Sequence, residues 1–149
     1  MKKTIPILFA IVIVLYFFAY FFLPKLNSPN AETKEIFIGN TKMIVEIADT
    51  AEKMALGLSG RKSLGENSGM LFLYSEPGMY SFWMKDMKFP IDIIWIGANG
   101  KIVDITKSAL PESYPKTFTS KEPAKYIIEA NSGWFDQNNI KIGDAAVIR

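Results

Sequence analysis

The sequence predicts a mainly β fold of the α+β kind: a compact, antiparallel, barrel-like β domain with one or two short helices, set behind a single N-terminal transmembrane helix. Three observations carry this reading. The stretch from Ile5 to Leu23 contains no charged residue. Beyond residue 34, apolar residues come in short alternating or β-branched runs punctuated by Gly, Pro and Asn. Only two stretches have helical character, so strands do not alternate with long helices as a parallel α/β sheet requires.

The first element is the run IPILFAIVIVLYFFAYFFL over residues 5–23. As a helix rising 1.5 Å per residue it covers roughly 28 Å, enough to span hydrocarbon. It has no polar face at all, which argues against a buried helix of a soluble domain. Lys2 and Lys3 precede it and only Lys25 follows closely, which places residues 1–4 in the cytoplasm as a stub and the remainder outside. Tyr16 and Tyr20 lie near the outer end, where amphipathic rings favour the interface. A cleaved signal is the alternative and would release a periplasmic or secreted protein. The aromatic FFAYFFLPKL that ends the run offers no small-x-small cleavage site, which favours an uncleaved signal anchor. Residues 24–33, containing Pro29 and two asparagines, read as a linker. Residues 34–149 form the outer domain.

Within that domain, Glu35–Ile38 and Lys42–Ala48 predict a hairpin turning at Gly39-Asn40-Thr41, with Met43, Val45 and Ile47 on one face. Asp49 or Thr50 caps a short helix running to about Leu58, with Ala51, Met54, Ala55 and Leu58 as a buried stripe and Gly60 at its end. Gly69–Tyr74 and Tyr80–Lys85, joined by Ser75-Glu76-Pro77-Gly78, predict a second hairpin. Ile91–Ile96 is nearly continuous in apolar residues, as expected of a central strand buried on both faces. A turn at Ala98-Asn99-Gly100 leads into Lys101–Thr106. The three prolines between Pro111 and Pro123 predict a long excursion without a regular ladder. Lys125–Ala130 is a strand, Ser132–Asn138 a helical turn and Ala145–Ile148 the last strand.

Composition excludes much chemistry. The 149 residues include neither His nor Cys, so Ser-His-Asp and Cys-His triads, disulfides and the usual zinc, haem and iron-sulfur ligands are absent. No Asp-rich loop of calcium-binding spacing occurs and no glycine-rich phosphate loop, so neither a metal nor a cofactor is expected. Lys2 and Lys3 account for the whole net charge of +2. The remainder is neutral with no basic stripe, which argues against nucleic-acid binding.

Polar residues embedded in apolar strands are the candidates for function, because a buried charge is costly unless paired. Lys85 lies in SFWMKDM, Asp92 in PIDIIWI, Glu129 in YIIEAN, and Arg61 follows the short helix. They form either an ion-pair network tying loop to sheet or a cleft in which Lys and Arg hold an anionic or polyhydroxylated ligand and Asp92 or Glu129 acts on it. Trp83 alternates with Phe82 and Met84, so one of the two faces looks away from the core. Trp83 is therefore the aromatic best placed to touch a ligand such as an envelope glycan. Trp95 is expected in the core, and Trp134 fits either role.

The motifs also occur in a recognisable order. MALGLSGRKSL at 54–64, GMLF at 69–72, FWMKDM at 82–87, PIDIIWI at 90–96, AKYIIEANSGW at 124–134 and IKIGD at 140–144 resemble the domain of unknown function 192 family. The likeness covers about residues 43–149. It implies a compact β-rich domain found alone or behind a signal or anchor, and it implies no established reaction. Where many members have Asn-Thr, this chain has Asp86-Met87, and it lacks the cysteines that many carry in the proline-rich excursion. The expectation is a membrane-anchored, extracytoplasmic binding or accessory module, its partner an envelope glycan or a membrane protein. A carboxylate-dependent enzyme acting on an envelope polymer is the alternative.

Overall fold

A computed structural model describes residues 32–148. The expected membrane helix, 5–23, lies outside the described residues. Among the described residues, no helix is long and apolar enough to cross a membrane.

The domain is mainly β. The first hairpin forms as expected: β1 (Thr33–Ile38) pairs antiparallel with β2 (Thr41–Ala48) across Gly39, whose φ of 57° suits the turn. Met43, Val45 and Ile47 are buried together. The helix α1 (Ala51–Leu56) starts at Thr50, whose hydroxyl accepts the Lys53 N–H. It is shorter than expected and its stripe is not buried: Ala51 and Ala55 are exposed and Met54 half-buried. Gly57, at φ 51°, ends the helix in place of Gly60, which takes Leu58 out of helical register and into the core.

The second hairpin does not form. β3 (Ser68–Gly78) runs through the predicted turn, pairing parallel with β2 on one edge and antiparallel with β8 (Ala124–Asn131) on the other. With both edges of β3 occupied, β4 (Ser81–Trp83) pairs instead with β7 (Thr117–Thr119), so the proline-rich excursion does contain a short ladder. Tyr80 turns the chain by stacking on Tyr74 with ring centroids 3.4 Å apart. Phe82 then drops edge-on against Phe72 and Trp95.

The central strand β5 (Ile91–Ile96) is buried throughout and lies between β8 and β6 (Ile102–Ala109). A short helix α2 (Trp134–Gln137) follows β8, and β9 (Ala146–Ile148) pairs with β1. The seven-stranded order is β6-β5-β8-β3-β2-β1-β9, antiparallel except for β2-β3, whose crossover contains α1. The sheet curls into a half-barrel whose end strands approach each other where the Ile102 N–H donates to the Asp144 carbonyl and the Ala146 N–H to the Gly100 carbonyl, at 2.9 and 2.8 Å.

Curling gives the sheet two cores. The inner face joins Val45, Leu71, Ile94 and Ile128 to Trp134 and Phe135 of α2. The outer face joins Phe72, Ile93, Trp95 and Ile127 to Leu58, Phe82 and Met84 beneath α1 and β4. Strand alternation therefore decides which core each buried polar residue enters.

Candidate functional site

Asp92 and Glu129 lie on neighbouring strands but on opposite faces. In the β5–β8 ladder Asp92 faces Ala130 and Glu129 faces Ile93. Asp92 thus points with Ile94 toward the inner core, and Glu129 with Ile93 toward the outer one. Asp92, 1% exposed, is fully engaged: Oδ1 accepts the Ser108 N–H at 2.9 Å, and Oδ2 accepts those of Gly133 at 3.0 Å and Phe135 at 3.4 Å. Two of these donors belong to residues at positive φ, Ser108 at 49° and Gly133 at 83°. The carboxylate fixes the strained end of β6 to the start of α2.

Glu129 is the opposite case. It is 5% exposed, and its Oε2 has no hydrogen-bond partner, the one buried side-chain N or O so placed among the described residues. Burial pushes its carboxyl up to about 8, against the pull of the Arg61 guanidinium and the Leu58 amide. The side chain therefore carries a proton at neutral pH.

Arg61 does not pair with either carboxylate. It makes a bidentate pair with Glu46 of β2, one bond at 2.7 Å between Nη2 and Oε2. The pair holds the Glu46 carboxyl below its usual range, the hydrogen bond from Arg61 being the largest cause. Glu46, Met70, Glu129 and Ile93 are in register across β2, β3, β8 and β5, which puts Glu46 and Glu129 on one face. Lys85 is exposed and its ammonium makes no ion pair among the described residues; its carbonyl accepts the Ser59 hydroxyl at 2.9 Å. The four charged candidates are thus not one network.

Glu129 opens onto a cleft beneath α1, walled by Met54, Gly57, Phe72, Tyr74, Trp83 and Met87 and about 70 Å³ in volume. Trp83 stands at the rim, 52% exposed, with Tyr114 edge-on at 6.2 Å. Trp95 and Trp134 are core residues whose indole N–H groups reach the Thr106 hydroxyl and the Asn67 side-chain oxygen. Gly57 matters to the space: a Cβ there would stand 3.6 Å from Glu129 Oε2 and 3.5 Å from the Phe72 ring. The site contains groups that sequence reasoning missed. Glu46 was readable as the charge on the polar face of an alternating strand and Tyr74 as one flank of Ser75–Gly78; Met54 was expected in the helix stripe, and Met87 carries no such signal. Asp86, where the family resemblance implies Asn, adopts φ 57°. Asn and Asp both tolerate that conformation, so the backbone accounts for the position without an amide's chemistry. Among the described residues, no group of three or more carboxylates is close enough to hold a metal.

The architecture and ordered motifs define a β-rich domain of one recognisable class. Residues 34–148 match the domain of unknown function 192 family, described as an uncharacterized ACR, and the chain belongs to it. Among solved structures it is similar to a candidate transcription regulator from Sinorhizobium meliloti 1021, with 26% identity, TM-score 0.76 and coverage of 79% of this chain and 95% of that one. It is also similar to a protein of unknown function from Novosphingobium aromaticivorans DSM 12444, with 28% identity, TM-score 0.74 and coverage of 80% and 88%. No curated protein matches.

Proposed function

We propose that this protein is a non-catalytic binding module of the cell envelope, held in the membrane by the helix 5–23 with its β domain outside, and that the cleft between Trp83 and Glu129 is its binding site. The observation that carries this reading is the unpartnered Oε2 of a buried glutamate facing a cleft with an exposed tryptophan at its rim. A buried acceptor without a partner costs about 1–3 kcal/mol. A ligand that supplies the missing partner recovers that cost, and an exposed indole adds a flat apolar surface for it to rest on. The charge balance around residues 2, 3 and 25 supports the orientation.

Two experiments test the proposal. Protease added to intact cells or spheroplasts should cut the β domain; protection until lysis would reverse the topology. A thermal-shift screen of the full chain with envelope saccharides and muropeptides should find a stabilising compound whose effect disappears in Trp83→Ala. A screen in which none stabilises the chain removes the binding reading and leaves an accessory partner of a membrane protein.

One observation favours the enzymatic alternative: Glu129 holds its proton at neutral pH, as a general acid must. Its weakness is the missing second carboxylate, since Asp92 lies across the sheet and is bonded to backbone amides. Release of soluble fragments from purified envelope polymer, abolished in Glu129→Gln, would establish it.

A further inference from the structure

We infer that the cleft accepts a primary ammonium group carried on an apolar body, with the ammonium seated on Glu129 Oε2 and the body against Trp83. This rests on the reading of the cleft as a binding site and names the ligand chemistry. The lining contains no basic side chain. Arg61 spends its guanidinium on Glu46, and Lys85 stands outside the lining. Nothing in the cleft would neutralise an anion. The walls attract positive charge instead: the faces of Phe72, Tyr74 and Trp83 carry negative quadrupole density, and the thioethers of Met54 and Met87 are polarisable. At the floor, Oε2 is a buried oxygen without a partner, and the absence of a Cβ at Gly57 spares it a contact that would stand 3.6 Å away.

The proton balance makes the inference sharp. The groups facing Glu129 are Arg61, paired to Glu46 of β2, and Tyr74 of β3, which Tyr80 contacts. Burial, then the neighbouring Tyr80 and Glu129, push the Tyr74 hydroxyl up, so it stays neutral. Glu129 is therefore the group facing the cleft that changes charge near neutrality. A neutral carboxyl binds an ammonium poorly, so binding must expel the carboxyl proton to buffer and leave carboxylate against ammonium. Each pH unit below about 8 then weakens binding about tenfold.

The test uses the full-length chain in dodecyl maltoside, which contains no amine, titrated with benzylamine, benzyl alcohol and benzoate at pH 6, 7 and 8. Binding is read from the Trp83 indole resonance, and proton release from calorimetry in two buffers of different ionisation enthalpy. Benzylamine should bind in preference to the other two, tighten up to about tenfold per unit toward pH 8, and release close to one proton at pH 6, falling to about half a proton at pH 8. Glu129→Gln should lose at least tenfold in affinity while keeping the melting temperature of the unaltered chain at pH 6. Should that variant fail to fold, the pH dependence of the unaltered chain decides the matter. Benzyl alcohol or benzoate binding as well as benzylamine, or benzylamine binding without pH dependence, overturns the ammonium inference and leaves the cleft a binding site. Silence from all three probes overturns the inference too, and the saccharide and muropeptide screen then decides separately whether the cleft binds anything.

Discussion

Two buried carboxylates, one register step apart on neighbouring strands, meet opposite fates. Asp92 enters the inner core and accepts three backbone N–H groups. Glu129 enters the outer core, where one oxygen finds no donor and burial raises its proton affinity. Residue type, burial and neighbourhood in sequence are alike. The difference is whether the protein itself supplies the partners, and that separates a carboxylate built for the fold from one left for something else.

Removing each carboxylate breaks the comparison most directly. Asp92→Ala strands the N–H groups of Ser108, Gly133 and Phe135, two of them on residues at positive φ. The expected loss is about 3–5 kcal/mol in chemical denaturation. Glu129→Gln, which replaces an already neutral group by a neutral isostere, should change stability at pH 6 by less than about 1 kcal/mol. Equal losses in the two variants would erase the distinction.

The second effect is on pH dependence. The folded carboxyl of Glu129 titrates above its unfolded value, so its contribution is fully present below about 4.5 and is lost as pH rises toward about 8. Between pH 5 and 8 the loss is on the order of 3 kcal/mol. Denaturation midpoints of the native chain should therefore fall across that window relative to Glu129→Gln. Parallel curves for the two proteins would mean that the carboxylate is already satisfied.

How much of this was legible follows from what each feature depends on. The β1–β2 hairpin and the doubly buried β5 are local patterns, and they read correctly from alternation and turn residues. The second hairpin failed because nothing local announces that β3 has both edges taken by β2 and β8. The helix stripe failed at a single residue, Gly57, whose positive φ ends α1 before Leu58. The candidates Asp92 and Glu129 stood out as charges in apolar runs. Which face each takes depends on the β5–β8 register, a pairing more than thirty residues apart in sequence. Arg61 stood out too, but its partner Glu46 required the parallel crossover to be known.

That crossover supplies the third prediction. Arg61→Met removes a partly exposed bidentate pair and should cost about 1 kcal/mol. It also removes the positive charge that opposes burial at Glu129. The Glu129 carboxyl, followed by its side-chain carbon resonance against pH, should then titrate above about 8. A titration left in place would show that Arg61 serves the crossover and has no influence on the cleft.

The smallest expected effect compares the rim with the surface. Trp83 and Lys85 are both exposed and lie two residues apart, yet only Trp83 lines the cleft. Truncating either to Ala should alter stability by no more than about 0.5 kcal/mol, because neither side chain is buried or ion-paired. Binding separates them. Trp83→Ala removes the aromatic surface at the mouth and should weaken any cleft ligand by about 1 kcal/mol or more, whereas Lys85→Ala should leave affinity where it was. Such a split, measured at unchanged melting temperature, assigns the effect to contact at the cleft and not to folding. If Lys85→Ala weakened binding more than Trp83→Ala, the ligand would be anionic and held outside the cleft, against the face that carries Lys85.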